Sequence, residues 1–169
     1  MVDQPTKKTE IFLSLGSNIN PEENLQFACR ELKKTFGKIK VSSVYRNKPI
    51  GFEGNDFLNM VVKVKSTYSP NEILDCLRGL EARTGRDIGT GVFDSRTLDI
   101  DMILFGNLVN PEKPLKIPRN DIELYSFVLC PLAEIEPSGI HPVKGKTFKD
   151  LWEDFDQEGH LLDKVSLDV

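Results

Sequence analysis

The sequence predicts an α+β fold, in which a ferredoxin-like antiparallel sheet has helices packed on it. Two observations support this class. Apolar residues alternate in short segments, and helical segments interrupt them in the order strand, helix, strand, strand, helix, strand. Both of the first two helical segments begin with a capping residue followed by proline. The 169 residues contain no repeat or linker, so we expect a single domain over residues 1–169, with residues 1–9 flexible.

Three strands and one helix are predicted in the first part of the chain. The strands alternate apolar and polar side chains, and they cover residues 10–18, 38–45 and 57–66. The helix lies between the first two strands, where Asn20-Pro21 is a start signal and Gly37 is a stop signal. Residues 46–56 contain one proline, two glycines and no periodicity, which is typical of a loop.

A second helix and a fourth strand follow. Residues 69–72, Ser-Pro-Asn-Glu, predict a capping box for the helix, which should end near Gly85. Residues 86–95 are rich in glycine and predict a loop, and residues 97–105 predict the strand. The side chains of this strand expected to face the core are Leu98, Ile100, Met102 and Leu104.

The rest of the chain is less regular. Gly106-Asn107 predicts a turn, and the region after Pro118 is expected to contain turns and short helices. The further elements predicted there are a short strand near residues 108–109, a strand around 127–129 and a last helix around 151–155.

Composition excludes several classes of function. The net charge is −4 with both signs interspersed, so no basic field marks a protein that binds nucleic acid or a membrane surface. Residues 1–10 are polar, and no apolar run approaches the roughly 20 residues of a membrane helix. The three cysteines are far apart and in no CxxC spacing, which indicates free thiols and a cytoplasmic location.

Asp99 and Asp101 flank Ile100 in the fourth predicted strand. Residues two apart on a strand point to the same side, about 6–7 Å apart along the backbone. Carboxylates this close repel each other, and Mg²⁺, which takes one or two carboxylates plus substrate phosphates, removes that repulsion. We interpret the pair as a site for two Mg²⁺ ions on a phosphate chain. Two solvated acids on an exposed strand face remain the alternative.

Two arginines flank the loop that leads into this strand. Arg86 begins it and Arg96 ends it, and the planar guanidinium suits phosphate oxygens. A glycine-containing loop with few apolar anchors can close over a nucleotide and exclude water. Both arginines are therefore candidate catalytic residues for phosphate transfer, while a simple ion pair between Arg96 and one of the acids is the alternative.

The third strand offers groups that suit a flat heterocycle. Phe57 has an aromatic plane, and Asn59, on the same strand face, can both donate to and accept from a ring edge. Phe127 could supply a second plane for stacking. The alternative is that both aromatic residues belong to the core and that Asn59 caps a turn.

Together these segments resemble the 6-hydroxymethyl-7,8-dihydropterin pyrophosphokinase (HPPK) family. The most specific segment is the R-T-L-D-x-D block at residues 96–101, and the resemblance extends from Ile11 to about Trp152. The other matching segments include Leu15-Gly16-Ser17-Asn18, Pro49-Ile50-Gly51, Phe57-Leu58-Asn59, Glu81 with Gly85-Arg86, Leu104-Phe105-Gly106, Phe127-Val128-Leu129 and Pro131-Leu132.

The resemblance implies an αβα architecture of the HPPK type and transfer of pyrophosphate from MgATP to the pterin hydroxymethyl group, releasing AMP. Asp99 and Asp101 would bind two Mg²⁺ ions, and Arg86 and Arg96 would contact the ATP phosphates. The residues implied to contact the pterin are Asn47, Ile50, Phe57, Asn59 and Phe127. Met102 and Ile117 would border the adenine. Pterin and ATP are thus the expected partners. We expect the protein to be a monomer.

Several positions on the ATP side depart from the pattern usual in the family. The family has an arginine where this chain has Ile88 and another where it has Tyr125, and Asp94 lies in a segment that usually reads R/K-W-G-P. A histidine is replaced by Arg119, which could supply a lost phosphate contact because it is cationic.

Two other functions stand beside pyrophosphate transfer, and the departures motivate the first of them. A diverged paralogue could bind a pterin or a nucleotide without efficient transfer. A metal-dependent nucleotidyltransferase is the third hypothesis, because paired aspartates on a ferredoxin-like sheet also suit polymerase-type chemistry.

Overall fold

The computed structural model describes residues 7–85 and 98–169. In chain order its elements are β1 (Thr9–Ser17), α1 (Pro21–Phe36), β2 (Lys40–Val41), β3 (Val44–Asn47), β4 (Phe57–Ser66), α2 (Pro70–Arg83), β5 (Asp99–Phe105), α3 (Asp121–Leu124), α4 (Ser126–Ile135), α5 (Phe148–Glu153) and β6 (Asp163–Val165). No helix within the described ranges is both long and apolar enough to span a membrane.

One antiparallel sheet forms the middle layer of the protein. Its strand order is β5-β1-β4-β3-β6, and β2 also pairs with β4. A core cluster on one face joins the sheet to α1 and α2, and a second cluster on the other face joins it to α3, α4 and α5. The predicted α+β class, with helices packed on a ferredoxin-like sheet, is confirmed.

β4 and α2 agree closely with the predicted elements. β4 has the predicted bounds, and its Leu58, Met60, Val62 and Val64 all belong to the cluster under α1 and α2. The capping box of α2 is complete, because the Ser69 hydroxyl accepts from the Glu72 backbone N–H and the Glu72 carboxylate accepts from the Ser69 N–H.

Two features of the first part of the chain differ from the expectation. Asn20 precedes α1 as predicted, but it has φ 44° and its side chain makes no cap hydrogen bond. The second predicted strand is divided into β2 and β3 at Ser42-Ser43. The Ser42 hydroxyl accepts a hydrogen bond from the Val61 N–H at 2.9 Å, so a side chain replaces a backbone group in the sheet at this point.

A bulge in β5 changes which way its last residues face. The register with β1 pairs Leu13 with Met102 and then Phe12 with Leu104, so Ile103 is an additional residue. Leu104 therefore packs with Phe12 in the cluster toward α3–α5. The prediction that Leu104 shares a core face with Met102 is wrong, because strict alternation does not continue through the bulge.

The region after β5 contains the largest corrections. Residues 127–129 lie in helix α4 and not in a strand, and residues 108–109 lie outside any strand. α5 includes Leu151 and Trp152, as predicted, but ends before Phe155. β6, which the sequence did not predict, pairs with β3.

Candidate active site

A cavity of about 360 Å³ lies on the α3–α4 face of the sheet, where β1 and β3 end and where β4 and β5 begin. Antiparallel pairing brings these four strand ends to one edge of the sheet. The residues that line the cavity are Ser14, Gly16, Asn47, Ile50, Phe52, Phe57, Asn59, Asp99, Asp101, Arg119, Asp121, Tyr125, Phe127 and Val128. Most of the site residues predicted from the sequence therefore lie around one cavity.

The two acids of β5 lie at one side of this cavity. Asp101 is opposite Ser14 in the register with β1, and Asp99 is opposite Gly16, so both acids share one face of the sheet. Both residues are half-buried. Within residues 7–85 and 98–169, no three His, Cys, Asp or Glu side chains form a group that could hold a metal ion.

The donor set fits Mg²⁺ that is bound together with a substrate. Mg²⁺ keeps several waters and is usually held by one or two carboxylates plus substrate phosphates, without an all-protein cage. Asp99 and Asp101 supply two such carboxylates at the wall of an open cavity. We refer to these two acids together with Arg119 and Asp121 as the acidic end of the cavity.

Arg119 provides positive charge at the acidic end. Its guanidinium Nη2 lies 3.4 Å from Oδ1 of Asp121. Burial opposes the charged form, but Asp101, Asp121 and Asp99 together raise the pKa of Arg119 above its ordinary value. Arg119 therefore remains cationic and faces the same acids that could bind a metal ion.

The opposite side of the cavity is formed by amides and aromatic rings. Asn59 is buried, and its amide Nδ2 donates a hydrogen bond to Oδ1 of Asn47. Phe52 contacts Phe57 edge-to-face, with 6.2 Å between the ring centroids. We call Asn47, Phe52, Phe57 and Asn59, together with Phe127, the aromatic end. It can hold a flat heterocycle between ring faces and bind its edge through an amide.

Tyr125 and Phe52 line the cavity; the sequence identified Tyr125 only as a departure from the family's arginine, and it did not identify Phe52. Tyr125 stacks on Phe127 with a centroid distance of 5.0 Å and an interplanar angle of 14°. A tyrosine two residues before a predicted stacking phenylalanine was the available signal for this pair. For Phe52, the signal was a large apolar residue within a loop otherwise rich in polar residues and glycine.

Met102 and Ile117 do not line this cavity. Both are buried, with exposed fractions of 3% and 1%. Met102 lines a cavity of about 150 Å³ beside it, and Ile117 lines another of about 420 Å³. Arg119 lines all three cavities. The predicted residues Arg86 and Arg96, and the departures Ile88 and Asp94, lie outside the described residues.

Comparison with protein families gives one match that covers most of the chain. A family model for 7,8-dihydro-6-hydroxymethylpterin-pyrophosphokinase (HPPK) matches residues 12–137. The 2-amino-4-hydroxy-6-hydroxymethyldihydropteridine pyrophosphokinase of Aquifex aeolicus is 36% identical over 142 residues, which cover 83% of this chain and 88% of that protein. The protein of the same name from Synechocystis sp. is 37% identical over 158 residues, which cover 91% of this chain and 80% of that protein.

Longer proteins also contain a similar unit. The folic acid synthesis protein fol1 of Schizosaccharomyces pombe is 30% identical over 163 residues, which are 94% of this chain and 22% of that protein. The crystal structure of wild-type Plasmodium falciparum HPPK-DHPS matches with a TM-score of 0.67 at 15% identity, over 89% of this chain and 45% of that chain. At this identity the structural match shows a shared fold.

Proposed function

This chain belongs to the 7,8-dihydro-6-hydroxymethylpterin-pyrophosphokinase family, and on that premise we propose that its cavity transfers pyrophosphate from MgATP to 6-hydroxymethyl-7,8-dihydropterin. The products are the pterin diphosphate and AMP, in folate biosynthesis. One observation supports this most strongly: a single cavity joins an aromatic end suited to a heterocycle with an acidic end suited to a metal-bound phosphate chain.

The aromatic end binds the pterin in this proposal. Phe57 and Phe127 pack against the ring faces, and the Asn59 amide binds the ring edge. Asn47 positions Asn59 through their side-chain hydrogen bond. Ile50, which is exposed on the loop after β3, covers the pocket from the solvent side. These contacts direct the hydroxymethyl group toward the acidic end.

The acidic end positions the triphosphate. Asp99 and Asp101 are the residues that would hold two Mg²⁺ ions, and bound Mg²⁺ would neutralise charge on the phosphate oxygens during transfer. Arg119, together with Arg86 and Arg96, adds positive charge toward the same oxygens.

The reaction is an in-line displacement in which the pterin hydroxyl oxygen forms a bond to the β-phosphorus of ATP. The bond between this phosphorus and the oxygen that bridges to the α-phosphorus breaks, AMP leaves, and the hydroxyl proton is released to solvent. This chemistry requires positioning and charge neutralisation more than a covalent nucleophile. The adenine lies toward the neighbouring cavities that Met102 and Ile117 line.

The proposal is tested by measuring AMP release with the pterin, ATP and Mg²⁺ supplied together and with each omitted in turn. We expect AMP only when all three are present. Pterin binding by calorimetry without AMP release at saturating substrates would contradict the proposal and indicate a binding protein. Release of inorganic pyrophosphate in place of AMP would indicate a nucleotidyltransferase.

Gly16 provides a test of the aromatic end. A Cβ atom at this position would lie 2.6 Å from Oδ1 of Asn59, so Gly16→Ala must displace the amide. Because a misplaced amide loses a hydrogen bond to the ring edge, we expect the Kd for the pterin to rise about tenfold. The Kd for MgATP alone should stay unchanged.

Gly79→Ala is the matched control for this variant, measured by the same titration. A Cβ atom at Gly79 meets no atom within 4 Å, and the residue lies on an exposed face of α2. Its pterin affinity should equal that of the unmodified protein. An unchanged pterin affinity in Gly16→Ala would show that Asn59 does not contact the ligand.

The protein is proposed to act as a monomer in the cytoplasm. Cys29, Cys76 and Cys130 are free thiols, as in proteins of a reducing compartment.

A further inference from the structure

The two proposed metal-binding acids lie on an edge strand. β5 is the first strand of the sheet and pairs with β1 on one side, so its other side has no neighbouring strand in the described structure. Backbone groups on the open side of an edge strand lack the ladder hydrogen bonds that keep a central strand straight. The backbone N–H of Ile100, which lies between Asp99 and Asp101, points to this open side.

Glu81 provides the acceptor that a neighbouring strand would otherwise supply. Its Oε2 accepts a hydrogen bond from the Ile100 N–H at 3.3 Å. Glu81 lies in the last turns of α2 and is only 9% exposed, and Ile100 is 4% exposed. A carboxylate in such a place is costly unless it is hydrogen-bonded, and the Ile100 N–H is one donor that meets this need.

A second contact fixes the same edge beyond Asp101. The carbonyl oxygen of Ile103, the additional residue of the bulge, accepts a hydrogen bond from the Arg119 N–H at 3.1 Å. The segment from Ile100 to Ile103 is therefore held at both of its ends by groups outside the sheet. Glu81, Asp101 and Arg119 all line the cavity of about 150 Å³.

We propose that Glu81 is a positioning residue that fixes the backbone between Asp99 and Asp101 and so sets the separation of their carboxylates. The hydrogen bond connects α2, whose Leu77 and Leu80 are anchored in the core, to the strand that carries both acids. Glu81 acts here as an acceptor for the backbone, and it also lines the cavity beside Met102 toward which the adenine is proposed to lie. The consequence for metal binding rests on the proposed function, whereas the effect on the backbone does not.

The test compares Glu81→Gln, which keeps an acceptor oxygen, with Glu81→Leu, which has similar size and no acceptor. We expect hydrogen exchange of the Ile100 amide, followed by NMR, to accelerate about tenfold in Glu81→Leu and to change little in Glu81→Gln. The Val62 amide in central strand β4 reports on global stability, so the measured effect is the acceleration at Ile100 beyond any acceleration at Val62. Asp75→Asn, an exposed acid on the same helix, is the matched control.

The second readout is the Mg²⁺ concentration that gives half-maximal AMP release. Glu81→Leu should need about tenfold more Mg²⁺ than the unmodified protein, and Glu81→Gln should restore the original requirement. Unchanged Ile100 exchange in Glu81→Leu, or an equal loss in both variants, would overturn the proposal. So would an unchanged Mg²⁺ requirement in Glu81→Leu. If the unmodified protein releases no AMP, the proposed function fails, and the exchange experiment still decides whether Glu81 holds the strand.

Discussion

Asp99→Asn and Asp101→Asn should each lower the rate of AMP release by about 10³-fold at saturating substrates, because each removes a carboxylate that would hold Mg²⁺ at the reacting phosphates. The amide keeps the size of the side chain and one oxygen but loses the negative charge that would hold Mg²⁺. Both acids line the cavity, so the change acts where the phosphate chain is proposed to lie. The measurement is initial velocity of AMP release over a Mg²⁺ titration.

The same variants should remain folded. Both acids are half-buried beside Arg119, and Asp121 still faces that guanidinium after either substitution. Because removing one of two like charges relieves repulsion, we expect the free energy of unfolding to change by less than about 1 kcal/mol. Asp75→Asn, at an exposed position of α2 that does not line the cavity, should keep full activity. A rate within tenfold of the unmodified protein in Asp101→Asn would contradict the proposed metal site.

The regular part of the fold could be predicted because local signals and burial agree there. In β4, every second side chain enters the core under α1 and α2, so the alternation in the sequence matches the burial in the structure. In α2, the sequence of the capping box specifies the first turn through contacts three residues apart. Both signals are local, so no knowledge of distant segments is needed.

α4 could not be predicted for the opposite reason. Its residues are buried on almost every side, including Ser126, Val128, Leu129 and Leu132, so the sequence shows an apolar run without helical periodicity. Such a short run of aromatic and β-branched residues is equally typical of a buried strand. Pro131 lies inside α4 and is a further signal against a helix. The packing of α4 between the sheet and α5 outweighs this local preference.

In the candidate site, as in the fold, features set by local sequence could be predicted and features set by packing could not. The face shared by Asp99 and Asp101 follows from alternation along one strand, so the sequence could indicate it. The contact of Glu81 with Ile100 and the stack of Tyr125 on Phe127 depend on how separate elements pack. The bulge at Ile103 likewise depends on pairing with β1, and it places the carbonyl that holds Arg119.

Arg119→Ala should weaken ATP binding about 10- to 100-fold, since one charged hydrogen-bond donor to phosphate contributes about 1.5–3 kcal/mol. The guanidinium is half-buried at the junction of all three cavities and faces Asp101 and Asp121. It can therefore reach both the triphosphate and the acids. The measurement is calorimetric titration with a non-hydrolysable ATP analogue in the presence of Mg²⁺.

The same substitution should have the opposite effect on the metal alone. Arg119 is a positive charge beside Asp99 and Asp101, so its removal should let Mg²⁺ bind these acids more tightly without nucleotide. Arg119→Lys keeps the charge, and Arg119→His introduces the residue usual in the family, so both should recover part of the ATP affinity.

Lys149→Ala tests whether the effect of Arg119→Ala comes only from the loss of one positive charge. Lys149 is exposed on α5 and lines none of the three cavities, so its removal should alter ATP affinity much less. Tighter Mg²⁺ binding together with normal ATP affinity in Arg119→Ala would mean that the guanidinium balances the acids and does not bind phosphate. The loss of the family's usual ATP-side residues would then have to be compensated from another position, since charge at the phosphates is what this transfer requires.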